Sequence, residues 1–123
     1  YKSLGEIMML LRAFGRFAFS ANFYFKISGR YYLNEEFDLN KWKSGQFVFQ
    51  FIKENYICTR LYGLRSDVVP LWKKTLINGI LLTRIGYPIE NILADYIPKK
   101  YVERIGRLGV MGNGGSSNEI IRD

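Results

Sequence analysis

Phe47, Phe49 and Phe51 alternate with Val48 and Gln50, a period of two that places the three rings on one face of a strand. The pattern restricts the fold because the period changes on either side of it. Residues 4–20, LGEIMMLLRAFGRFAFS, repeat apolar side chains at helical spacing. Leu4, Met8, Leu11 and Ala18 mark one stripe, widened by Ile7, Leu10, Phe14 and Phe17. Arg12 and Arg16, four apart, share the remaining face. Residues 22–27 and 30–33 are aromatic and β-branched, and Ser28-Gly29-Arg30 supplies a turn between them. The expected fold class is α+β: a small antiparallel sheet of about three strands with an aromatic face, packed with the N-terminal helix and a helical C-terminal half.

In that second half, residues 53–64 read as a short helix ending near Gly63. Residues 68–85 read as a longer one, N-capped by Ser66 or Asp67, with Pro70 in its first turn. Its broad apolar face holds Val69, Trp72, Leu76, Ile77, Ile80 and Leu81, and Gly86 followed by Pro88 is a stop signal. Further helices are expected at 89–96 and 99–108. Gly106, Gly109, Gly112, Gly114 and Gly115 then precede Ser116 and Ser117, a composition that predicts a flexible tail. Residues 1–108 are therefore expected to form one basic domain and residues 109–123 a flexible C-terminal tail.

The chain has no histidine, so neither a Ser-His-Asp nor a Cys-His nucleophile can be assembled within it. Glu35, Glu36 and Asp38 cluster in one loop, as acid–base or Mg²⁺ chemistry would require, but an acidic loop between strands reads first as a solvated turn. The run from Gly112 to Ser117 lacks the lysine of a phosphate-binding loop. No catalytic residue, metal ligand or cofactor is assigned, and the chain is read as a non-enzyme. The lone Cys58 sits in an apolar run and reads as a buried structural thiol, which suits a reducing intracellular compartment. Tyr1 stands where an initiator Met would, which leaves room for a processing site or a preceding segment. Residues 7–11 resemble a signal-peptide core in length, but no small-residue cleavage pattern follows. Arg12 and Arg16 interrupt the run well short of a membrane span.

Net charge is the strongest remaining signal. It is +7, unevenly spread, with residues 1–33 and 55–84 each carrying +4. A charge of that sign selects a polyanionic partner. Lys26, Arg30, Tyr24 and Tyr31 would lie together on the first hairpin, where rings can stack on bases while cations neutralise phosphates. Arg12, Arg16, Lys73 and Lys74 extend the candidate nucleic-acid-binding set. The leading expectation is a non-catalytic structural component of a large nucleoprotein assembly such as an organellar ribosome, with RNA ahead of DNA as partner. A bias towards Phe, Tyr, Ile and basic residues would suit an organellar gene, hence a mitochondrion as one location; a viral or phage gene fits too. The alternative is a protein–protein assembly subunit of a virion or membrane-associated complex, burying Phe23, Phe25, Trp42, Phe47 and Trp72 against neighbouring subunits. An anionic membrane surface is a third partner class, with Arg12 and Arg16 towards headgroups.

Overall fold

A computed structural model describes residues 2–16, 21–113 and 120–123. Helix α1 (Lys2–Arg16) leads into strands β1 (Phe23–Ile27) and β2 (Tyr31–Leu33), then a single helical turn, α2 (Leu39–Trp42). Strands β3 (Phe47–Phe49), β4 (Phe51–Lys53), β5 (Tyr56–Ile57) and β6 (Leu61–Arg65) follow. The chain continues through α3 (Val69–Arg84), α4 (Ile89–Tyr96), β7 (Val102–Arg104), β8 (Val110–Asn113) and β9 (Ile120–Arg122). The last turn expected for the first helix, with Phe17 and Ala18, lies outside the described residues.

The centre is a four-stranded sheet of order β1-β6-β3-β7, antiparallel except for the parallel β3–β7 pair. Alternate side chains of its strands enter different cores. Phe47, Phe49, Tyr62 and Leu64 meet Trp72 and Leu76 of α3, Ile7 of α1, and Ile92 and Leu93 of α4. Val48 and Leu61, on the other face, meet Trp42 of α2, Leu108 and Val110. The second face is covered by α2 and by a three-stranded sheet of order β2-β8-β9. A helical layer, a central sheet and a small second sheet are thus stacked in order. Trp72 is 1% exposed, and its indole N–H donates to the buried Tyr62 hydroxyl at 3.2 Å.

The mixed α+β class holds, but the strand pairing differs from the expected hairpin. Ser28 accepts from the Tyr31 N–H at 3.0 Å, which turns β2 away from β1. β1 pairs with β6 instead, and β2 with β8. Residues 53–64, expected to be helical, form strands. Glu54-Asn55 makes a two-residue turn between β4 and β5, and an irregularity at Ile52 absorbs the register shift. The helix expected over 99–108 is a 3-10 turn, Lys99–Tyr101, followed by β7, because Phe47–Phe49 offers it an open sheet edge.

The 68–85 helix is present with its Gly86 stop. Gly86, at φ 89°, donates to the Thr83 carbonyl, and Tyr87 donates to Leu82. The expected N-cap is not made: Val68 occupies that position, and Asp67 bonds Arg65 and Gln46 instead. Within the expected glycine-rich tail, Val110–Asn113 and Ile120–Arg122 are strand. β8 and β9 pair with each other, and Asp123 exchanges backbone hydrogen bonds with Val110. Gly109 takes φ 81°, and its Cα lies against the Phe37 backbone with no room for a Cβ, so this glycine serves close packing. Residues 114–119 of the expected tail lie outside the described residues.

Two expected outcomes follow from this core. Trp72→Ala should lower the unfolding free energy by about 3–5 kcal/mol, read from urea unfolding curves. The second is alkaline sensitivity. Burial raises the Tyr62 phenol far above the ordinary tyrosine range. The unfolded chain ionises this group near about pH 10 while the native chain keeps the proton, so stability falls as pH rises beyond that value. Unfolding free energies measured from pH 8 to 11 should show the decline, and Tyr62→Phe should flatten part of it.

Candidate functional site

Even-numbered residues of β1 point to the helical layer, and this decides the fate of Lys26. Its ammonium donates to Glu6 at 3.1 Å, Ser28 Oγ at 3.1 Å and the Thr59 carbonyl at 2.8 Å. All three of its protons are therefore placed. The side chain is 10% exposed and that of Glu6 23%. Lys26 ties β1 to α1 and to the chain entering β6.

Arg30, in the turn, is exposed, and Tyr31 is half-buried beneath the Arg60 guanidinium, 5.8 Å from its ring centre. Arg60 also pairs with Asp123 at 2.9 Å. Lys26, Arg30, Tyr31 and Arg60 line one groove of about 450 Å³, together with Lys2 and Ser3 of α1 and Glu90 at the start of α4. Ser3 Oγ accepts from the Ile89 N–H at 3.1 Å, which fixes the α1 end of the groove against α4.

The remaining nominated residues lie elsewhere. Tyr24 packs among the helical-layer core, edge-on to Phe14, and its hydroxyl accepts from the Ala21 N–H at 3.1 Å. Arg12 is exposed on α1. Arg16 closes that helix, and its side chain lies outside the described residues. Lys73 lays its ammonium over the Phe14 ring at 5.5 Å, and Lys74 is exposed. The structure therefore gathers Lys26, Arg30 and Tyr31 at the groove, and places Arg12, Lys73 and Lys74 on the helical layer. Tyr24 and Tyr31 face opposite sides of the central sheet.

Acidic side chains are largely occupied by local partners. Glu54 holds Lys99 and Arg104, each at 3.1 Å, while both cations also cover the Phe51 ring. Asp67 is bonded by Arg65, which holds its carboxyl down at about 2. The loop carboxylates diverge: Glu35 pairs with Arg122, Glu36 with Arg107, and Asp38 caps α2 by accepting from Asn40 N–H. Among the described residues no cluster of His, Cys, Asp or Glu is arranged to hold a metal ion, and no helix is long and apolar enough to cross a membrane. Cys58 is buried, and burial pushes its thiol up.

This consumption leaves cations without a carboxylate partner among the described residues: Lys2 and Arg12 on α1, Arg30 on the turn, Lys41 and Lys43 at α2, Lys53 on β4, Lys73, Lys74 and Arg84 on α3, and Lys100 ahead of β7. Lys2, Arg60 and Arg84 were not singled out in the sequence. Reading residues 53–64 as a helix hid Arg60 from the first turn, although Arg60 and Tyr31 come together only through strand pairing. The chain matches no protein-family model, no curated protein and no solved structure.

Replacing the groove cations should separate support from surface. Lys26→Ala leaves Glu6 without its donor and the Thr59 carbonyl with the Ser28 hydroxyl alone, and should cost about 1–3 kcal/mol. Arg30→Ala, on the exposed turn, should stay within about 0.5 kcal/mol of the parent. Denaturant unfolding of the two variants measures the difference.

Proposed function

We propose that the chain is a basic, non-catalytic RNA-binding component of a larger nucleoprotein assembly, of the kind an organellar ribosome exemplifies. The observation that carries this reading is the separation of charge. Most described carboxylates are held in local ion pairs and caps, and most of the cations left over are exposed. α1 and α3 pack together, so Arg12, Lys74 and Arg84 project from one helical layer, with Lys2 and Arg30 at the neighbouring groove. Uncompensated cations on a surface gain by displacing the counterions condensed on a phosphate backbone. Tyr31, half-buried under Arg60, offers a ring beside those cations for a base to meet. Lys26 takes no part in phosphate binding in this reading, because its protons are already placed, and Tyr24 serves the core.

The test is the salt dependence of binding to single-stranded RNA, followed by fluorescence anisotropy. Arg12→Ala, Arg30→Ala and Lys74→Ala should weaken binding to all sequences alike. Each should flatten the slope of log affinity against log salt by about 0.7. Binding by the parent protein that does not respond to salt, or no binding at all, would end this reading.

A further inference from the structure

Helix α3 carries Lys73, Lys74 and Arg84 and no carboxylate in its 16 residues. Ile77 and Leu81 on it, and Ile85 just after it, recur every four residues on one face. They are 55%, 71% and 79% exposed. At 1.5 Å per residue the stripe runs about 12 Å, a little over two helical turns. Beside it the seam between α3 and the end of α4 opens into a groove of about 510 Å³, lined by Leu71, Lys74, Asn78, Leu82, Tyr96 and Pro98. Gly79 lies on the groove side of α3, where Ile92 of α4 packs against it closely enough to meet any added Cβ. The helices therefore cannot be spread or filled by a larger residue there without displacing Ile92.

We propose that this face docks an amphipathic, acidic helix of another protein. The partner's apolar side chains enter the groove and cover Ile77 and Leu81, and its flanking carboxylates meet Lys74 and Arg84. Charge selects this occupant over a second copy of the chain. Two α3 helices would bring cations to cations with no carboxylate on either, and Asp95 on nearby α4 is already bonded by Tyr87. Shape selects it over a lipid surface, because a concave seam receives protruding side chains, whereas a helix lying on a bilayer presents a convex apolar face. The helix shares Lys74 and Arg84 with the RNA reading and would compete with phosphate for them, but the apolar contacts at Ile77 and Leu81 are used by no phosphate, so the two readings are tested apart.

The probe is a fluorescein-labelled Leu/Glu peptide of about 18 residues, long enough to form a helix in contact, with leucines at i, i+4, i+7 and i+11. Its controls are a scrambled isomer of identical charge and a Leu/Lys counterpart. The Leu/Glu helix should bind at least about tenfold more tightly than either control. Ile77→Asn with Leu81→Asn keeps the charge unchanged and should abolish that tenfold advantage. Both positions are exposed, so an unchanged melting temperature verifies folding, and Leu81→Asn alone serves if the pair melts early. Equal binding of the scrambled peptide, or none by any peptide, overturns the proposal. So do binding to phosphatidylglycerol vesicles, or dimerisation in sedimentation, that the same variant removes; these would assign the face to a membrane or to a second copy.

Discussion

Neither face of the β3–β6 pair reaches water, and the layers around it are arranged to meet that condition. A strand with one wet face can place polar residues at every second position; Phe47-Val48-Phe49 and Leu61-Tyr62-Gly63-Leu64 cannot. The helical layer covers Phe47, Phe49, Tyr62 and Leu64, and the price of the arrangement is that a second layer must cover Val48, Leu61 and Gly63 as well. The glycine makes room on that side for the ring of Phe23 on neighbouring β1 and for Trp42 of the second layer. A Cβ at position 63 would run into the Phe23 ring, with Trp42 just behind it. The tyrosine brings a hydroxyl into the dry side, and its acceptance of the Trp72 N–H keeps both polar atoms bonded without water.

Double coverage also changes what the aromatic residues mean. Trp42, Phe47 and Trp72 are buried within the chain's own cores, so they are not available to bury against a neighbouring subunit. Phe25 touches Trp42 and Phe37 and keeps a moderately exposed edge. The aromatic excess read from composition is mostly spent on two cores in a small domain, where each ring removes more apolar area from water than an aliphatic side chain would. Surface apolar character is spread more widely: Ile77 and Leu81 on α3, Met8 and Met9 on α1, and Tyr32, Leu33, Ile52 and Tyr96 elsewhere are exposed.

How far the sequence could be read depends on whether an element's signal was local. α1, α3 and α4 carry their own period, α3 and α4 carry stop signals too, and Gly86 with Pro88 marks the end of α3 because the Schellman turn is a property of a few adjacent residues. β1, β2 and β3 were also legible, since aromatic and β-branched runs favour strands wherever they are placed. Their partners were not. β1 pairs across 34 or more residues with β6, and β8 holds β2 across a longer interval, and no adjacent residue announces such a choice. The glycines near the C-terminus misled for a related reason. Gly109 and Gly112 are small because backbone from Phe37 and from Arg30 passes against them, and glycine chosen for close approach has the same letter as glycine chosen for flexibility. In residues 53–64, Glu54-Asn55 was the available turn signal, and it was outweighed by an apolar spacing that suits helix and strand alike over so short a run.

The candidate site was legible as charge and not as placement, and Lys26 and Arg30 show why. They stand four residues apart, on either side of one turn, and look equivalent in sequence. β1 turns Lys26 towards α1, where Glu6, Ser28 and the Thr59 carbonyl take its protons. The turn leaves Arg30 in solvent at the mouth of the same groove. A lysine suits the first position because its ammonium can point three donors in different directions, and a guanidinium's planar fork could not satisfy the same three acceptors. Once Lys26 neutralises Glu6, the groove's remaining charge is set by Lys2, Arg30 and Arg60 against Glu90 and Asp123. The half-buried pair thus offsets, within the groove, a carboxylate that would otherwise repel an anion. Lys26 spends its donors within the chain, and the groove beside it keeps its positive balance through Lys2, Arg30 and Arg60.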